Sequence, residues 1–218
     1  MNQVKWAWIG SLLVLYAAFW IWHGGNGDPI SEEEGEELLV QLEQAYGVSR
    51  DDPTDSGEST SFIRNMVDMI PKDDGREFYA VNLEQLKEGE EARAADQRYA
   101  TMVIPLVFAR GGYPVFVGDR AGSMLGDYGA DIDRVAVMRY RSLRDMIDMV
   151  LSPEMQAGSN DKFLSLDHTE VIIVRPFVSF AQMRVIVGAI LLIIAVAGIA
   201  VIGWVQNRRA SGNRSAPQ

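Results

Sequence analysis

Residues 185–205 carry no charged side chain, and no other stretch limits so narrowly what the chain can fold into. At ~1.5 Å per residue, a helix of that length reaches about 30 Å, the thickness of a bilayer's hydrocarbon core. The run lies between Arg184 and the pair Arg208-Arg209, and Trp204 stands at its end. Its rival reading is a buried core helix, but an apolar circumference of this length is rare in a small soluble protein. Residues 6–22 form a second uncharged run, with Trp6 and Trp8 at one end and Trp20 and Trp22 at the other. Aromatic belts at two interfaces produce that pattern, because an amphipathic ring prefers headgroup depth. The two runs predict an amino-terminal transmembrane helix over 1–23 and a carboxy-terminal one over 184–206. A cleaved signal peptide needs small residues before its cleavage point, and Phe19-Trp20-Ile21-Trp22-His23 offers none.

Charge then orients the chain. All 30 acidic residues fall between Asp28 and Glu170, and residues 24–183 hold 15 of the 20 Lys and Arg, a net of −15 from 15 basic against 30 acidic groups. Lys5 lies outside the first run, and Arg208, Arg209 and Arg214 lie outside the second. Positive flanks stay in the cytoplasm, so both termini are expected there, with the acidic region periplasmic or extracellular, in a bacterial inner membrane. Arg184 is the dissenting charge. The acidic surface argues against nucleic acid, whose phosphates demand clustered cations. The chain has no cysteine. That excludes a disulfide framework, a thiolate metal site and a Cys nucleophile.

Between the spans, residues 24–75 read as a linker and accessory helices, 76–177 as one α+β domain, and 207–218 as a basic cytoplasmic tail. The linker is Gly24-Gly25-Asn26-Gly27-Asp28-Pro29. Ser31 followed by Glu34 is a capping box, and Leu38, Leu39, Leu42 and Ala45 give the ensuing helix an apolar stripe. Residues 49–61 read as a polar loop, and 62–70 as a short helix stopped by Pro71. In the domain, 78–83 is a strand and 90–109 a helix with Pro105 inside it. Strands follow over 113–117 and 135–140. Ser142 then caps an amphipathic helix, Ser152-Pro153 starts a short further turn, and 170–174 is the last strand. The order βαββαβ is the split, ferredoxin-like arrangement: an antiparallel sheet with helices on one face.

Several of these pieces recur together. Tyr99, Pro105, Gly111-Gly112 with strand 113–117 and Gly118, Asp133 to Val137, and Ser152-Pro153-Glu154-Met155-Gln156-Ala157 resemble a widespread small bacterial family. It is known as domain of unknown function 1330, within the dimeric α+β barrel group. The resemblance spans residues 76–176, and its most specific piece is Ser-Pro-Glu-x-Gln. It implies a ferredoxin-like fold and a homodimer paired sheet to sheet; it implies no catalytic residue. Unlike typical members, this chain has apolar runs at both ends and an added helical segment, and Met155 replaces the usual aromatic residue.

Groups able to do chemistry are few. His23 sits at the membrane boundary, where a polar residue needs no special reason. His168 stands at the entry to the last strand, and with an ordinary pKa near ~6.5 it is a candidate acid or base, against the plainer reading of a surface histidine. Arg139 shares a strand face with Val135 and Val137, and is a candidate fork for an anion, although pairing with one of the many carboxylates is the simpler reading. Asp127, Asp131 and Asp133, with Asp119, crowd one loop; a metal site there competes with a solvated turn, and the spacing is not that of an EF-hand. No cofactor fingerprint, phosphate loop or nucleophile elbow is present. Two functions follow. One is a membrane-anchored binding module for a protein, a membrane protein among the candidates, or for a small ligand. The other is a tethered small-molecule enzyme of isomerase or monooxygenase type, with His168 and Arg139 in its pocket.

Overall fold

A computed structural model describes residues 3–24, 27–51, 57–177 and 182–212. Part of the expected linker (25–26), part of the expected polar loop (52–56) and the end of the expected tail (213–218) lie outside the described residues. The chain divides into two compact units, Gly24–Val178 and the pair Met1–His23 with Ser179–Gln218.

The larger unit opens on α2 (Glu32–Tyr46), where the Ser31 hydroxyl accepts from Glu34 N at 3.3 Å, as the capping box predicts. Next comes α3 (Glu58–Met69), four residues earlier than its sequence pattern suggests. Its first turn is polar, yet Thr60 there is fully buried, so tertiary packing rather than amphipathic period sets where this helix begins. The domain continues with β1 (Phe78–Leu86), α4 (Glu90–Ala109), β2 (Tyr113–Asp119), β3 (Arg134–Tyr140), α5 (Leu143–Val150), α6 (Pro153–Ser165) and β4 (Leu166–Val174). Helix α4 keeps its expected limits and runs on through Pro105. Gly111 ends the turn beyond it at φ 74, a left-handed value, and a Cβ at Gly112 would come within 2.6 Å of Arg139 O.

The short turn expected at Ser152-Pro153 is a helix of 13 residues. Ser152 caps it by accepting from Met155 N at 3.3 Å, and Pro153 occupies the first helical position. The helix lacks an apolar stripe; it is held by lying along α4, with Arg98 Nη2 2.6 Å from Asp161 Oδ1. Strand β4 also begins four residues early, which brings His168 inside it.

The strands form one antiparallel sheet in the order β2-β3-β1-β4, the ferredoxin-like topology. Phe78 faces Tyr140 across the sheet and Ala80 faces Met138, all on one side. Phe78, Met138 and Tyr140 join a core with Val107 of α4 and Leu143, Met146 and Ile147 of α5. Leu39 and Leu42 of α2 and Ile63 and Met66 of α3 belong to the same core. The accessory helices therefore extend the helical layer, and their apolar stripes are spent there.

In the smaller unit, α1 (Gln3–Gly24) and α7 (Met183–Gly212) are both long and apolar enough to cross a membrane. They run antiparallel. Tyr16 lies against Gly188, where a Cβ would meet its hydroxyl at 3.2 Å; Trp8 lies against Gly198; and Lys5 Nζ is 3.4 Å from the Cβ position of Gly203.

Candidate functional site

Since the helices occupy one side of the sheet, the residues of opposite parity form its other face. The register arranges them in rows across β2, β3, β1 and β4. The first row is Tyr113, Arg139, Tyr79 and Val174; the second is Phe116, Val137, Val81 and Ile172; the third is Gly118, Val135, Leu83 and Glu170. A last row holds Gln85 and His168. The middle rows are almost wholly apolar. Phe116 is 56% exposed and Ile172 48%, values that belong to a surface and not to a core. A bulge between Pro114 and Phe116 turns the Phe116 ring onto this face, and the ring covers Gly118, where a Cβ would sit 2.7 Å from it.

Arg139 closes one end of the face. Its side chain is 1% exposed, with Nε donating to Glu77 Oε2 at 2.8 Å, Nη1 to Gly111 O at 2.8 Å, and Nη2 to Glu77 as well. The guanidinium also lies 5.3 Å from the Tyr113 ring centroid. The fork that was a candidate anion holder grips a carboxylate of its own chain. Arg141, just beyond β3, does the same with Asp145 at 2.5 Å.

His168 stands at the opposite end, on the same face, with its side chain 58% exposed and Nε2 3.8 Å from Glu170 Oε1. Arg139 pairs with Tyr79 of β1 and His168 with Gln85. Six residues of extended strand separate those positions, about 20 Å. The structure places the two candidates on one surface without bringing them together. Of the loop aspartates, Asp133 extends the sheet: its carboxylate accepts from Leu86 N at 2.9 Å and its own N–H donates to Glu84 O at 2.9 Å. Asp127 accepts a turn bond from Ala130 N at 3.0 Å through its backbone carbonyl. Among the described residues no three His, Cys, Asp or Glu side chains converge as a metal site. The same loop exposes Met124, Leu125 and Tyr128 completely.

A second polar group sits on the helical side. Arg134 donates to Glu84 at 2.6 Å and to Asp96 of α4 at 2.7 Å. The Asp96 carboxylate first, and Glu84 after it, hold this guanidinium in its charged form beyond the usual arginine range. Burial pushes the Lys162 ammonium of α6 down, against the opposing pull of Glu84 and Glu58. Arg134 thereby joins α4 to the sheet. Sequence reading passed over Glu77, Glu84 and Lys162, because their partners are distant in the chain and no local spacing marks them.

No family model and no curated protein matches the chain. Among solved structures it is similar to a protein of unknown function from Rhodopseudomonas palustris, at 16% identity and a TM-score of 0.49 over 57% of this chain and 97% of that one. It is similar also to an uncharacterized NIPSNAP domain protein from Burkholderia xenovorans, at 10% identity and a TM-score of 0.37 over 48% of this chain and 98% of that one. A dimeric protein of unknown function and ferredoxin-like fold from Bacteroides fragilis gives 12% identity and a TM-score of 0.34 over 46% of this chain and 96% of that one.

Proposed function

We propose that the chain is a membrane-anchored binding module whose domain, over residues 76–177, stands outside the cytoplasm and pairs with a second copy through the helix-free sheet face. In this reading α1 and α7 cross the bilayer, both termini are cytoplasmic, and the domain belongs with domain of unknown function 1330 on the strength of its Ser-Pro-Glu-x-Gln piece. The observation that carries the proposal is the pair of apolar rows through Val137 and Val135, with Phe116 and Ile172 about half exposed at their edges. Four strands at ~4.8 Å and seven residues at ~3.4 Å make the face roughly 450 Å² in projection. A standard interface takes about 800 Å² from each partner, so the face supplies a large part of one. The accessory helices leave the face open, because their apolar stripes are buried in the helical layer. An enzyme built on His168 and Arg139 would need reacting groups within hydrogen-bond reach of one substrate, and their separation of about 20 Å gives that alternative no support.

Light scattering of fragment 24–178 across concentration tests the pairing. The expected result is a dimer at tens of micromolar that Phe116→Lys with Ile172→Lys converts to a folded monomer. A monodisperse monomer of the unsubstituted fragment at high micromolar concentration would sink the proposal.

A further inference from the structure

Between β2 and β3 the chain makes an arm, residues 120–133, that is clamped at its base. Arg120 N–H donates to Asp133 O at 2.7 Å, and Asp133 is tied to β1, its N–H donating to Glu84 O and its carboxylate accepting from Leu86 N, both at 2.9 Å. Turn bonds from Ala130 N to Asp127 O at 3.0 Å and from Ile132 N to Gly129 O at 3.4 Å shape the returning limb. Every residue from 119 to 131 is exposed. A Cβ built at Gly122, Gly126 or Gly129 would meet no atom within 4 Å, so this part of the arm stands clear of its own domain. Met124, Leu125 and Tyr128 project from it, completely exposed. A single exposed apolar residue is ordinary, but three large ones within five positions form a patch of the kind that marks an interaction site.

We infer that the arm is exchanged between two copies of the chain, laying Met124, Leu125 and Tyr128 on the helix-free sheet face of its partner. The inference rests on the face-to-face pairing proposed above and adds the segment that completes it. Area is the first argument. The face offers roughly 450 Å² and a standard interface takes about 800 Å² from each side. An aromatic side chain alone buries about 150–250 Å², so Tyr128 with Met124 and Leu125 closes the difference. Reach is the second. Five extended residues from the clamp at Arg120 to Leu125 span about 16 Å, and sheets packed face to face lie about 10 Å apart. Chemistry is the third. The receiving rows through Val137 and Val135 are almost wholly apolar, as the three side chains are. Asp119, Asp127, Asp131 and Asp133 along the arm make an anionic lipid surface a poor alternative occupant.

The full chain in mild detergent provides the test. It has no cysteine, so Ser123→Cys, beside the apolar trio, carries the single environment-sensitive fluorophore. Unlabelled parent chain titrated into a trace of the labelled chain is expected to shift the emission to the blue, saturably. Phe116→Lys with Ile172→Lys in the titrant should abolish the shift, because the receiving face is gone. In sedimentation, Met124→Ser with Leu125→Ser and Tyr128→Ser is expected to weaken self-association by about tenfold or more, with circular dichroism unchanged. Self-association as tight in that triple variant as in the parent, or association that leaves the emission unmoved, would overturn the arm and leave the face pairing standing. A blue shift undiminished by the face-substituted titrant would overturn it too. A parent chain that stays monomeric at high micromolar concentration removes the pairing itself, and the arm with it.

Discussion

At the scale of single residues the domain is held by ionic and phenolic groups that its own chain has enclosed. Arg139 shows the rule: a buried guanidinium is tolerated because Glu77 and Gly111 O meet its donors and Tyr113 meets its face. The tyrosines carry the pH dependence. Burial pushes the Tyr140 hydroxyl up to about 12 and raises Tyr99 and Tyr46 as well. A raised folded value means the folded chain keeps protons that the unfolded chain gives up. These tyrosines therefore contribute stability that is whole below pH ~10 and is lost as pH rises through the folded values. Absorbance of fragment 24–178 at the tyrosinate band should lag the urea-unfolded chain across this window. Tyr140→Phe should remove part of the lag, and coincident curves would refute the burial argument.

At the scale of elements, α5 and α6 differ in what makes them helical. Helix α5 announces itself: Leu143, Met146, Ile147 and Val150 are buried along one side, and the Ser142 hydroxyl accepts from Asp145 N at 3.1 Å. Helix α6 depends on its start and on its neighbours. The Ser152 hydroxyl accepts from Met155 N and donates to Met149 O at 2.6 Å, joining the end of one helix to the beginning of the next. Removing that cap in Ser152→Ala should cost about 1 kcal/mol. Urea unfolding of the fragment should show it as a lower midpoint with an unchanged slope. Loss of helical circular dichroism without a shifted midpoint would mean that α6 frays independently of the core.

At the scale of the whole molecule, the division of charge is the organising feature. A cation at mid-bilayer costs about 2.5–3.5 kcal/mol, and positive flanks hold to the cytoplasm, so the proposed topology rests on Lys5, Arg208, Arg209 and Arg214 against the acidic middle. Reporter fusions at Met1 and at Gln218 should both read as cytoplasmic. A terminus open to protease on the outer face of intact cells would reverse that orientation, and with it the placement of the sheet face outside the cytoplasm.

The sequence by itself determined what depends on neighbours along the chain. Apolar runs without charge, the caps at Ser31, Ser142 and Ser152, and the alternation in strands are local signals, and the βαββαβ order with its antiparallel sheet follows from them. Tertiary structure alone decided what depends on partners far apart in sequence. Thr60 is drawn into a helix by burial, the turn after Pro153 becomes a helix by lying along α4, and Arg139 finds Glu77. His168 and Arg139 are candidates for one pocket in the sequence; the register of β3, β1 and β4 puts them at the two ends of one face. His23 and Arg184 are 161 positions apart, and each alone is an unremarkable interfacial residue. Their meeting is a property of two helices running antiparallel, which no local pattern in either helix encodes.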